Sequence, residues 1–195
     1  MKHQPPEDVS PITVSRYHPT IIDRHGDESP GDEIFGASSD DGEWGCKSPF
    51  GEPGDRLWVR ETTYDVERNG WVGPVYVESD EGAHASAWGW GESDDPDFIE
   101  PYELRKRPAI HMPRKLARIT LEITGVRAER LQSIGRDDAI AEGIPDPRRA
   151  ARRVDLVEGA VAQFRQLWDG LNAARGYGWD ANPWVWVVEF RRIEG

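Results

Sequence analysis

The 195-residue chain has one cysteine, Cys46, which excludes an intramolecular disulfide and any multi-cysteine zinc site. No apolar run approaches the roughly 20 residues that span a bilayer. The opening Met1-Lys2-His3-Gln4-Pro5-Pro6 has no signal-peptide apolar stretch. These absences point to a soluble, cytoplasmic protein with no membrane partner. Also missing are Gly-x-Gly-x-x-Gly, a P-loop, His-Glu-x-x-His and a nucleophile elbow, so common nucleotide-cofactor and metalloprotease chemistries lack support. His3, His18, His25 and His84 stand at no metal-ligand spacing, and neither a metal nor a cofactor is expected. Apolar residues make up 37% of the chain and mean hydropathy is −0.71, which limits the core and leaves room for long loops.

What is present is unevenly placed. The net charge of −12 argues against a general polyanion-binding protein. Residues 1–100 carry 7 basic against 23 acidic side chains, whereas residues 101–195 carry 17 against 13. A nucleic-acid site would therefore be a local patch in the second half. The nine tryptophans run from Trp44 to Trp186, enough to anchor a core and to offer stacking surfaces.

Residues 1–47 are rich in Pro, Gly, Ser, Asp and Glu and read as an irregular acidic N-terminal arm, with short strand-like runs at Ile12-Thr13-Val14 and Thr20-Ile21-Ile22. Residues 48–195 form the main domain. Its pivot is 51–62, where Pro53-Gly54 turns the chain into a strand at 56–62. Alternation sets Arg56, Trp58 and Arg60 on one face and Asp55, Leu57, Val59 and Glu61 on the other, so a carboxylate shares the core-like face.

Gly73-Pro74 splits Trp71-Val72 from Val75-Tyr76-Val77 and suggests a hairpin or a bulged strand, followed by an acidic loop over 79–101. Residues 118–126 alternate as an amphipathic strand. Ser133 is placed to cap a short helix over 134–142 that Gly143 ends. A basic stretch at 147–153 precedes a long helix over 154–174, and the apolar run 184–193 reads as a central strand. The absence of βαβ alternation predicts an α+β fold, a small mixed β-barrel with two or three flanking helices.

Three segments in order carry a resemblance. They are Pro53-Gly54-Asp55-Arg56-Leu57-Trp58-Val59-Arg60-Glu61, then 131–144 with its Asp138-Ala139 and Glu142-Gly143 pairs, then 164–168 followed by 182–190. Together they resemble the ASCH family of the PUA-like superfamily, in the form found in phages and prophages. His111-Met112-Pro113-Arg114 with Arg118 is similar to the phage-type segment entering the next strand. The resemblance implies a PUA-like barrel whose cleft binds RNA, a nucleotide or a modified nucleoside. Some relatives are amide hydrolases of N4-acylated cytidine and some are ribonucleases. The family's usual first strand and helix, with a Gly-x-Lys-x-x-Glu-x-Arg type motif, has no counterpart before residue 50. That departure leaves the cleft without the lysine that the family motif would supply. It also predicts an exposed sheet edge that favours homo-oligomers.

Glu61 is the candidate catalytic residue, as general base or as acceptor for an exocyclic amine. The competing reading is a structural ion pair with Arg56, Arg60 or another base. Arg56 and Arg60 suit bidentate phosphate contacts, or ordinary surface ion pairs. His111, Arg114, Lys115 and Arg118, preceded by Arg105-Lys106-Arg107, are placed to track a nucleic-acid backbone; the alternative is that they neutralise the acidic 79–100 stretch. Trp58 suits base stacking or barrel filling, as do Trp184 and Trp186, while Trp88 and Trp90 suit exposed stacking. Three functions are expected in order: binding of RNA or a nucleoside, hydrolysis at Glu61, and a phage-assembly or protein-interaction role.

Overall fold

The computed structural model describes residues 4–6, 11–68, 71–92, 94, 96–146 and 159–193. It is an α+β structure of small antiparallel sheets with few helices. The chain divides into two compact units, one of residues 1–53 and 124–189, the other of 54–123 and 190–195. The basic stretch at 147–153 and the start of the predicted long helix lie outside the described residues.

In the first unit, the expected irregular arm is instead sheet. Strands β1 (Ile12–Tyr17), β2 (Thr20–Ile22), β3 (Glu28–Pro30), β4 (Ile34–Ser39) and β5 (Gly45–Lys47) occupy it. β4 pairs antiparallel with β1, Ile12 opposite Ser39 and Tyr17 opposite Ile34, and with β5, Ala37 opposite Cys46. β2 and β3 form a separate hairpin. The physical reason is pairing: β3, β4 and β5 are Gly- or Ser-containing and of weak propensity, and cross-strand bonds, to the β-branched runs of β1 and β2 and between β4 and β5, satisfy their backbone.

The second cluster of elements in this unit begins in β10 (Thr120–Arg130), whose residues from 124 onward belong here. A 3₁₀ turn over Leu131–Ser133 follows, then α2 (Arg136–Ala141). The helix is capped at Gly135, whose N–H donates to the Asp138 carboxylate at 3.3 Å, rather than at Ser133, which the 3₁₀ turn takes up. α3 (Ala160–Asn172) and the first part of β11 (Trp184–Ile193) complete the unit. Leu131, Ala139, Ile144, Ala160 and Phe164 are buried together, with Trp168, Trp179 and Val185 packed against them. β11 is not a central strand: it ends the sheet order β11-β10-β6, and its residues are half-buried or exposed. Val185 packs against the buried cluster that α2 and α3 contribute to.

In the second unit, the strand predicted over 56–62 is shorter, β6 (Arg56–Trp58), and pairs antiparallel with β10 at Trp58 opposite Thr120 and Arg56 opposite Glu122. β7 (Thr63–Arg68) lies between β8 (Trp71–Tyr76) and β9 (Lys106–Arg107). Residues 71–76 are one continuous strand in unbroken register with β7, neither a hairpin nor a bulged strand at Gly73-Pro74. Pro74 is tolerated because β8 is an edge strand, paired with β7 alone among the described residues. Tyr64, Val66 and Val75 are buried here, covered by Val77, Trp90, Ile99 and Leu104.

The 79–101 stretch is not all loop, because α1 (Asp80–Trp88) forms within it. Ser79 Oγ accepts from the Gly82 N–H at 3.1 Å, and Asp80 and Glu81 sit in the first turn, where the helix dipole favours carboxylates. Gly82 is required by close approach: a Cβ there would collide with the carbonyl oxygens of Tyr76 and Val77, the latter at 2.6 Å. Gly82→Ala is therefore expected to destabilise by about 1 kcal/mol net, overpacking outweighing the gain in helix propensity. Urea unfolding midpoints check this, and a stabilised variant would show that α1 can move off β8.

Candidate functional site

The residues predicted to form a site converge in the second unit, at the corner after β6. Val59 N–H donates to the Ile119 carbonyl at 3.0 Å, which holds the end of β6 against the segment entering β10. The backbone then leaves the sheet. Glu61 N–H donates to the Met112 thioether at 3.0 Å, and Met112 is buried. Arg60 Nη1 donates to the Ile110 carbonyl at 3.2 Å. The corner is thus tied to two consecutive 3₁₀ turns, Ala109–His111 and Arg114–Leu116, each preceded by a proline that fixes its entry.

This tie separates the predicted residues into two sets. The first faces solvent: Arg56, Arg60, His111, Arg114 and Lys115 are exposed, and Trp58 is half-buried. The Arg60 guanidinium lies 4.8 Å over the Trp58 ring, as the alternation of the two residues predicts. Arg56, at the start of the same strand, extends the cationic row.

The second set pairs a buried carboxylate with a half-open cation. Glu61 is 9% exposed and both its oxygens are engaged by Arg118: Nη2 to Oε1 at 2.7 Å, Nε to Oε2 at 3.0 Å and to Oε1 at 3.3 Å. Hydrogen bonding to Glu61 raises the Arg118 guanidinium above its ordinary range, against the opposing pull of burial. The same guanidinium sits 4.1 Å over the Tyr76 ring, and Tyr76 Oη donates to the Leu116 carbonyl at 2.6 Å. Arg118 therefore holds the Glu61 carboxylate while its side chain stays 40% exposed. A structural ion pair, the competing reading for Glu61, is present, with Arg118 as the partner. Close by in sequence, the buried Thr63 hydroxyl has no hydrogen-bond partner among the described residues.

Part of the basic run before the corner is also committed. Arg107 pairs with Asp65 at 2.6 Å, and the Lys106 ammonium lies 5.9 Å over the Tyr64 ring. Trp88, read as an exposed stacking residue, is 72% exposed, whereas Trp90 is half-buried in a bridge to Ile99.

The first unit holds a feature that sequence reasoning missed, a cavity of about 670 Å³ between α3, α2, the adjoining parts of β10 and β11, and the chain around Cys46. Its signal in the sequence is the helical spacing of Phe164, Leu167, Trp168 and Leu171, which reads as an ordinary core face. Arg130 and Lys47 stand among its lining residues. Among the described residues no cluster of His, Cys, Asp and Glu could hold a metal ion, and no helix is long and apolar enough to cross a membrane. Compared with protein-family models, with curated proteins and with solved structures, the chain matches none.

Proposed function

We propose that this chain is a phage-encoded PUA-like barrel protein of the ASCH kind that binds single-stranded RNA or a modified nucleoside through the exposed face around Trp58 and Arg60. The observation that carries the reading is the Arg60 tie: one guanidinium stacks on Trp58 and bonds the Ile110 carbonyl, so it anchors the segment that carries His111, Arg114 and Lys115 in the open. Aromatic surface interleaved with cations is what a single strand needs, rings for the bases and charge for the phosphates. A local patch of this kind is compatible with a net charge of −12.

Glu61 favours binding over hydrolysis. A general base needs access to its substrate, and Glu61 is 9% exposed with both oxygens already accepting from Arg118. Buried carboxylates are nonetheless the usual raw material of acid–base sites, so the hydrolase reading is kept as a defined alternative. Turnover of N4-acylated cytidines or short RNAs that disappears in Glu61→Gln would establish it.

The binding reading predicts that a labelled single-stranded RNA of about 12 nucleotides binds at about 50 mM salt and weakens steeply as salt rises. Trp58→Ala should cost roughly tenfold in affinity, the loss of one stacked base. Arg114→Gln combined with Lys115→Gln should flatten the slope of log affinity against log salt by about 1.4, or about 0.7 for each phosphate no longer neutralised. Fluorescence anisotropy measures all three. Absence of RNA binding at low salt would remove the reading, and capture of proteins without nucleic acid would favour an interaction role. Self-association through a sheet edge belongs to the same proposal and is checked by sedimentation; a strictly monomeric chain excludes it.

A further inference from the structure

The cavity of the first unit plays no part in the RNA reading, and its chemistry is different. On one wall Phe164, Leu167, Trp168 and Leu171 repeat at the three- and four-residue spacing that aligns one face of α3. On another, Val185 and Val187 point the same way from alternate positions of β11. Among the described residues the outer end of the helix face is left open: Leu167 is 50% and Leu171 62% exposed, although their spacing is that of core residues. The hollow, about 670 Å³, falls within the range of pockets that enclose small organic ligands.

Its charged groups are not equivalent. Arg127 is saturated, with ion pairs to Glu129, Asp138 and Glu189. Arg130 is not. Its guanidinium lies 4.9 Å over the Trp184 ring and donates one bond, from Nη1 to the Asn182 carbonyl at 3.1 Å. Among the described residues no carboxylate pairs with Arg130, nor with Lys47 on the same cavity lining. A guanidinium is itself a planar fork of N–H groups, and one anchored by the Trp184 ring and the Asn182 carbonyl keeps the rest to offer a carboxylate, which they match better than a point charge would.

We propose that this cavity is a binding site for a flat aromatic monocarboxylate, its rings against the α3 face and Val185 and its carboxylate on the Arg130 fork. The apolar walls supply affinity and Arg130 sets the orientation. This site is independent of the Trp58 and Arg60 surface, and either can fail without the other.

Titration calorimetry with 2-naphthoate tests it on the full chain. The expected result is saturable binding of one equivalent, at least tenfold weaker for the neutral 2-naphthalenemethanol and about tenfold weaker for 2-naphthoate on Arg130→Gln. Leu171→Glu, a change at an exposed position that puts a carboxylate on the cavity wall, should abolish binding while circular dichroism and melting stay unchanged. Cys46 lines the cavity and is the chain's one thiol, so its alkylation by iodoacetamide should slow when 2-naphthoate is bound. Absence of saturable binding up to millimolar ligand would overturn the proposal. So would equal affinity for acid and alcohol, binding that survives Leu171→Glu, or no protection of Cys46. The acid and alcohol comparison needs no variant, and it decides the case even if Arg130→Gln does not fold.

Discussion

Phe164→Ala is expected to lower the unfolding free energy by about 3 kcal/mol, the largest single effect in the first unit. The ring is 7% exposed and lies in the only cluster where α2, α3 and the turn after β10 contribute buried side chains among the described residues. It loses more than transfer energy. Its centroid is 6.0 Å from Trp168 in a tilted arrangement and 6.5 Å from Trp179 edge-on at 70°, and such pairs add about 0.5–1.5 kcal/mol beyond burial. Both tryptophans are independently fixed, so they cannot collapse into the gap. Trp168 Nε1 donates to the Tyr177 carbonyl at 2.7 Å, and Trp179 N–H donates to Asp169 Oδ1 at 2.6 Å. Leu171→Ala, on the same helix face but 62% exposed, should change stability by less than about 0.5 kcal/mol. Urea unfolding of the two variants gives the comparison. A Phe164 loss below about 1 kcal/mol would mean the neighbouring cavity already lets this core relax.

That contrast shows what the sequence could and could not convey. The apolar spacing of α3 was legible, and so were the amphipathic strand at 118–126 and the short helix after it, because each is a local pattern with a period. What the pattern cannot convey is how far the neighbouring elements reach: Phe164 is covered and Leu171 is not, though both stand on one stripe. In residues 12–47 the strand-like runs at 12–14 and 20–22 were legible and fall in β1 and β2, but their partners β4 and β3 were not, for a related reason. Ile12 meets Ser39 and Gly36 meets Lys47, pairings that depend on partners rather than on strand propensity. α1 was hidden within acidic and glycine-containing sequence because its fit to β8 needs a missing side chain at Gly82, not an apolar face. At the site, alternation correctly put Arg60 beside Trp58 and turned Glu61 inward. The partner of Glu61 stands 57 residues away, and no local rule distinguishes Arg118 from Arg114 as the one that turns in.

Arg118→Met should separate these roles, with a loss of about 2 kcal/mol in stability and no change in the salt slope of RNA binding. Removing one partner of a fully buried pair costs about 3–5 kcal/mol because the other charge is stranded. Glu61 meets that condition at 9% exposure, but the Arg118 side chain is 40% exposed, so water can partly replace it and the loss falls below that range. The stack on Tyr76 adds a smaller loss that methionine, still able to lie against the ring, partly restores. Adding Glu61→Gln to Arg118→Met removes the stranded charge and should recover about 1 kcal/mol, although Glu61→Gln alone destabilises. A double-mutant cycle on urea midpoints measures this reversal of sign. Additive losses would mean that Glu61 and Arg118 are not coupled, and the carboxylate would then be open to proton transfer. The reversal would instead fix Glu61 as the internal strut of the corner, leaving Arg60, Arg114 and Lys115 as the cations open to a phosphate.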